Sequence, residues 1–191
     1  MSEAHKSSGE WVFVDVGFAN ASKSCGLLVQ DEEPVELTFA DLQNRIVQLA
    51  SSGTTPLNLL LEAPLSVAFN SRGNPVGRSI EKRNEQSRYW YVGLGCSVMV
   101  ATTYLLRALH NCPRTREVRL FEGLASFKPK GEKSSHSGDV LKLRELVWFQ
   151  DAAIGKIVAP GALAKSNQDK VESAFHVAGM DFGVPPVAML F

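Results

Sequence analysis

Three short apolar runs crowd the first forty residues, and the turns between them leave few ways to fold. "WVFVDVG" (11–17) is followed by the small-residue turn "FANASK" (18–23), then "SCGLLVQ" (24–30), then "DEEP", then "VELTFA" (35–40). The first two runs read as buried strands, and the third alternates apolar and polar as a half-exposed strand does. Connections this short join only antiparallel neighbours. The chain therefore opens as a three-stranded meander.

Beyond the meander the periodicity changes. "ADLQNRIVQLASS" places Leu42, Ile46, Val47 and Leu49 at helical spacing. "LNLLLEAP" (57–64) is a continuous apolar run, as in a strand covered on both faces. Residues 66–88 read as a long polar loop. A helix is predicted from about 89 to 110, a strand over "EVRLFEGL" (117–124), and a second polar loop over "SFKPKGEKSSHSG" (126–138). "DVLKLRELVWFQDAA" reads as helical. "KSNQDKVESAFHVAG" reads as a last helix with Ser166 or Asn167 at its N-cap. The order β-β-β-α-β-α-β-α-α predicts an α/β fold: a five-stranded mixed sheet, order 3-2-1-4-5, strand 2 antiparallel, helices on both faces.

Length and composition agree with one domain. The 191 residues are 45% hydrophobic and 21% charged, and residues 1–9 read as a polar, flexible tail before a single domain over 10–191. That tail has no apolar core of the kind a signal peptide needs. Twenty basic residues balance twenty acidic ones, so overall charge announces no nucleic-acid or membrane partner, and any basic surface must be local. Cys25, Cys96 and Cys112 are an odd count without CxxC spacing, which argues against a disulfide framework and fits a reducing, cytoplasmic setting. Tyr89–Leu106 holds 18 uncharged residues, long enough to span a bilayer. Its two Gly, one Ser and two Thr favour a buried helix instead, and no membrane partner is expected.

The chemistry lies in acids set among apolar residues. Asp15 interrupts the first strand, and Glu62 ends the fourth. A lone ionised carboxylate in such a place is costly to desolvate, so each needs a reason. In the predicted last helix, Asp169 and Glu172 fall at i and i+3, with His176 at i+7, all on one face. Val171, Ala174, Phe175 and Ala178 would form its packing face. Acids converging from these elements would repel unless a divalent cation neutralised them, and carboxylate oxygens suit Mg²⁺ or Mn²⁺. Two such ions about 3.5–4 Å apart can hold both the attacking and leaving oxygens of a phosphodiester. Asp15, Glu62, Asp169 and Glu172 are thus the candidate catalytic and metal-ligating set.

Four more residues are candidates for a general base or support. Glu122, inside "RLFEGL", is either a fifth ligand or the partner of Arg119. His136 would assist a water nucleophile as base, Asp139 reads as an N-terminal helix cap or a supporting acid, and His176 as a packed surface histidine or a support. Basic residues near aromatic ones suggest where nucleic acid would lie: Arg72, Arg78, Lys82, Arg83 and Arg88 beside Tyr89, Trp90 and Tyr91, with Lys128 and Lys130 on the second loop. A solvated loop is the plain alternative.

The elements and acids, in this order, resemble the RNase H-like superfamily of the RuvC resolvase type. There an Asp sits on the first strand, a Glu ends the fourth, and a final helix carries a D-x-x-D or related pair. The matching positions are "VDVG" with Asp15, "LLLEAP" with Glu62 and "DKVESA" with Asp169 and Glu172. Glu172 departs from the resolvase pattern, which has Asp. From about residue 11 to 188 the chain more closely resembles the family of predicted RNase H-like nucleases called DUF429. The residues that carry this are the D-x-G strand, "EAPLS", "RLFEGLASF" and "QDKVESAF". The resemblance implies a metal-dependent nuclease or phosphodiesterase acting on DNA or RNA. The alternative is an inactive RNase H-like protein that binds nucleic acid or regulates a partner. A sugar kinase of the actin-like type, which shares D-x-G, needs two such domains, and one chain of this length supplies one. A structural role, with the acids as surface charge, is the remaining reading.

Overall fold

A computed structural model describes residues 8–17, 22–83, 86–87, 94–124, 135–148 and 155–190. In chain order the elements are β1 (Glu10–Val16), β2 (Cys25–Val29), β3 (Val35–Leu37), α1 (Phe39–Ala50), β4 (Leu57–Leu61), β5 (Ser66–Phe69), β6 (Pro75–Val76), β7 (Lys82–Arg83), β8 (Gln86–Ser87), α2 (Leu94–Asn111), β9 (Val118–Leu124), α3 (His136–Trp148), β10 (Gly155–Val158), β11 (Lys170–Ser173) and β12 (Val187–Leu190).

The fold is α/β, built on a mixed seven-stranded sheet in the order β10-β12-β9-β4-β1-β2-β3. Strand β2 runs antiparallel to both β1 and β3, while β1, β4, β9 and β12 are mutually parallel. The sheet is wider than the five strands expected. The closing "VPPVAMLF" supplies β12, and "GKIV" supplies β10 antiparallel to it at the edge.

The two-residue alternation of the strands sorts the core into two layers. Val12, Val14 and Val16 of β1 and Leu57, Leu59 and Leu61 of β4 pack with Leu42, Ile46 and Leu49 of α1 and Leu105, Leu106 and Leu109 of α2. Trp11 and Phe13 of β1 and Leu60 of β4 pack on the other face with Val140, Leu143, Leu146 and Val147 of α3. Asp15 and Glu62 continue the second series, so both acids belong to the α3 face. Two of the helices have a local reason to start: the Thr38 hydroxyl accepts from Asp41 N–H at 3.1 Å before α1, and the Ser135 hydroxyl accepts from Gly138 N–H at 3.0 Å before α3.

Two glycines let α3 come close. A Cβ at Gly26 would lie 2.5 Å from the His136 carbonyl oxygen, and one at Gly17 would lie 1.9 Å from the Ser24 carbonyl and 2.4 Å from His136 Cε1. Backbone cannot yield as a flexible side chain does. Gly26→Ala is therefore expected to destabilise the protein by about 1–3 kcal/mol in urea unfolding, the usual cost of overpacking, by pushing the start of α3 off the sheet.

Two expectations are corrected. Residues 66–88 are not simply a loop: β5, β6 and β11 form a small three-stranded sheet, and β7 pairs with β8. The predicted last helix is absent. Residues 170–173 instead form β11, antiparallel to β5, and residues 176–178 make a single 3-10 turn closed by Gly179 at φ +70°. The helical spacing of Val171, Ala174 and Phe175 is real, but the pairing that β5 offers outweighs a weak local preference. The helix over α2 begins within the uncharged segment, and no helix among the described residues is long and apolar enough to cross a membrane.

Candidate metal centre

Asp15, Glu62 and Asp139 converge. Each offers a carboxylate oxygen within 4.8 Å of those of the other two, and all three residues are buried, at 8%, 8% and 7% exposure. They reach this point from three elements: Asp15 from the end of β1, Glu62 from just past β4, and Asp139 from the first turn of α3. The backbone holds them firmly. Glu62 N–H donates to Val14 O at 2.8 Å, tying the exit of β4 to β1, and Asp139 N–H donates to Ser135 O at 3.0 Å.

Among the described residues, His136 stands beside Asp15. His136 Nδ1 lies 2.6 Å from Asp15 Oδ2, and its side chain is 30% exposed. A carboxylate at that distance accepts a proton carried on Nδ1, which leaves Nε2 as the nitrogen able to accept another. The α3 N-terminus is anchored from the far side as well, where Ser137 N–H and hydroxyl each donate to Glu36 Oε1 at 3.3 Å.

With carboxylate oxygens within 4.8 Å of one another, like charges brought together here repel. An all-oxygen set of three buried carboxylates on rigid elements is the donor chemistry that hard divalent cations take, so the group fits a metal ion.

The other expected ligands are elsewhere. Among the described residues, the group that could hold a metal comprises Asp15, Glu62 and Asp139, without Asp169 or Glu172. Asp169 lies in a turn, its Oδ2 accepting from Ser166 N–H at 3.1 Å, and Ser166 caps no helix. Glu172 lies on β11 and pairs with Lys170. His176 is exposed and pairs with Asp181 at 2.8 Å, which holds the Asp181 carboxyl below its usual range. The shared helix face on which the three were aligned does not exist.

Glu122 is not a fifth ligand, and the reason is parity. It stands in register with Leu61, the residue before Glu62, so its side chain lies on the opposite face of the sheet. There it receives both arms of Arg78, Nη1 to Oε2 at 2.8 Å and Nη2 to Oε1 at 2.7 Å. Arg119 pairs with Glu117 instead. Arg78, expected on a nucleic-acid surface, is fully buried. Its Nε contacts Glu81 Oε1 at 2.9 Å and its Nη1 donates to the Ser66 hydroxyl at 2.6 Å. Burial works against the guanidinium charge, but Glu122 and then Glu81 outweigh it and raise the Arg78 pKa further.

Burial also pushes the Glu81 carboxyl above its ordinary value, against the pull of Arg78. An acid with a higher pKa folded than unfolded holds its proton more tightly when folded. The contribution of Glu81 to stability is therefore greatest below the unfolded value of 4.5 and declines as pH rises through the folded one. Glu81→Gln should flatten that decline in urea unfolding measured upward from pH 4; an unchanged slope would assign it to other acids.

Of the remaining basic candidates, Arg72 is exposed in the turn between β5 and β6, where its N–H donates to Asn70 Oδ1 at 3.0 Å. Lys82 and Arg83 lie on β7, with their side chains outside the described residues, as are Arg88, Lys128 and Lys130 altogether. Asp139, expected as a helix cap or supporting acid, is instead a member of the buried group, and the cap is Ser135. The signal was "SSHSGDV", in which a capping serine already precedes the acid by a full turn.

Comparison with known proteins adds no relative: no family model, no curated protein and no solved structure matches the chain.

Proposed function

We propose that the protein is a metal-dependent nuclease or phosphodiesterase of the RNase H-like kind, with Asp15, Glu62 and Asp139 as its metal-binding carboxylates. The observation that carries this reading is the convergence of those three buried acids at the ends of adjacent parallel strands and the start of the helix above them. The run β3-β2-β1-β4-β9, with β2 reversed, supports it as the strand order expected of that superfamily. In open α/β sheets, ligand sites form at the carboxyl ends of strands, where these acids stand.

Mg²⁺ or Mn²⁺ held there would supply charge neutralisation and Lewis acidity toward a phosphoryl oxygen. The chain's own residues do the rest. The three carboxylates bind, and their rigid elements fix where the ion sits. His136 contacts Asp15 through Nδ1, and its Nε2 would accept a proton from an attacking water. Among the described basic residues, Arg72 is exposed and available to phosphates.

The test is Mn²⁺-dependent cleavage of single-stranded, duplex and branched DNA and RNA. Cleavage of any member by wild type, abolished by chelator, supports the reading. No cleavage of any substrate, with Mn²⁺ still bound, favours instead a protein that binds nucleic acid or regulates a partner without hydrolysis.

A further inference from the structure

The buried cluster around Arg78 has no part in binding the ion, yet it grips the chain directly after Glu62. Glu122 Oε2 accepts from Leu65 N–H at 2.8 Å, and the same guanidinium that holds Glu122 also holds the Ser66 hydroxyl. Leu65 is fixed on its other side as well, its carbonyl accepting from Ala174 N–H at 2.9 Å. Upstream, Glu62 N–H is bound to Val14 O. The turn Glu62–Ala63–Pro64 is thus clamped at both ends, by the main sheet before it and by the Arg78–Glu122 pair after it. Arg78, Glu122 and Ser66 are each at most 1% exposed. Replacing such a buried ionic cluster by apolar residues is often neutral for stability or stabilising, so stability alone gives no reason for placing one at this turn.

We propose that Arg78 and Glu122 are positioning residues, which lock the turn after β4 from the opposite face of the sheet and thereby fix where the Glu62 carboxylate points. This rests on the metal reading above. Outer groups that orient a ligand typically cost 10–100-fold in metal affinity when removed.

Two variants test it. Arg78→Lys keeps the charge and loses the two-armed grip on Glu122. The fourfold variant Ser66→Ala, Arg78→Met, Glu81→Leu, Glu122→Leu replaces the cluster by apolar packing and guards against a fold lost to an unpaired buried charge. Each is measured for Mn²⁺ affinity by calorimetry and for amide exchange at Leu65, with Val12 and Leu59 in the central strands as references. The expected result is at least tenfold weaker Mn²⁺ binding and faster exchange at Leu65, with Val12 and Leu59 still protected. Unchanged Mn²⁺ affinity in folded variants would overturn the positioning role while leaving the metal reading intact. Wild type that binds no Mn²⁺ would remove the metal reading, and with it the purpose assigned to the clamp. Leu65 exchange would then still report separately whether the turn depends on Arg78.

Discussion

Asp15→Asn should abolish Mn²⁺-dependent cleavage, lowering the rate by about a thousandfold or more, and leave the protein folded. Asn keeps the shape of Asp and its capacity to accept from His136 Nδ1–H, so the 2.6 Å contact has a substitute. What is lost is one carboxylate of the three buried acids proposed to hold the ion. A loss of several kcal/mol in transition-state stabilisation corresponds to that change in rate. Stability should not fall sharply, because Asn keeps the contact with His136 and removes a like charge from beside Glu62 and Asp139. The check is the cleavage rate beside a thermal melt. Cleavage that survives would point to a contaminant or another site. A sharply lowered melting temperature would mean that Asp15 serves the fold as a hydrogen-bond acceptor.

Asp139→Asn should be nearly as damaging, whereas Asp169→Asn and Glu172→Gln should leave Mn²⁺ affinity within about threefold of wild type. The contrast follows from placement. Asp139 is buried beside Asp15 and Glu62, while Asp169 serves a turn and Glu172 faces Lys170 on an edge strand. Losing one of three carboxylates should weaken binding by about a hundredfold, since the remaining two offer fewer oxygens than Mg²⁺ or Mn²⁺ takes from such a site. Calorimetry on the three variants decides it. Equal weakening in Asp169→Asn would return the last segment to the site.

The parts of this arrangement readable in the sequence are those in which one residue's neighbours along the chain decide its surroundings. Asp15 lies among Val14, Val16 and Phe13, and Glu62 ends "LNLLL"; both are buried at strand ends because their flanking residues are. The antiparallel meander was legible because its turns are too short for anything else. Three features were not legible, because distant partners decide them. The segment 170–173 has helical spacing but is drawn into a sheet by β5, more than a hundred residues earlier. Arg78 looks like a solvated loop residue until Glu122, 44 positions on, is seen to face it. Strands β10 and β12 are short and of ordinary composition, and only the free edge of β9 gives them a place. Asp139 falls between these cases: a serine cap was written before it, but that its carboxylate meets Asp15 depends on Gly17 and Gly26 admitting α3 to the sheet.

A crystal soaked in Mn²⁺, with data collected where manganese scatters anomalously, tests the carboxylate site most directly. An anomalous peak is expected, bounded by carboxylate oxygens of Asp15, Glu62 and Asp139, at about the 2.0–2.1 Å of a small divalent cation. A peak beside Asp169 or Glu172 alone, or no peak at any soaking concentration that also saturates the protein in solution, would contradict it.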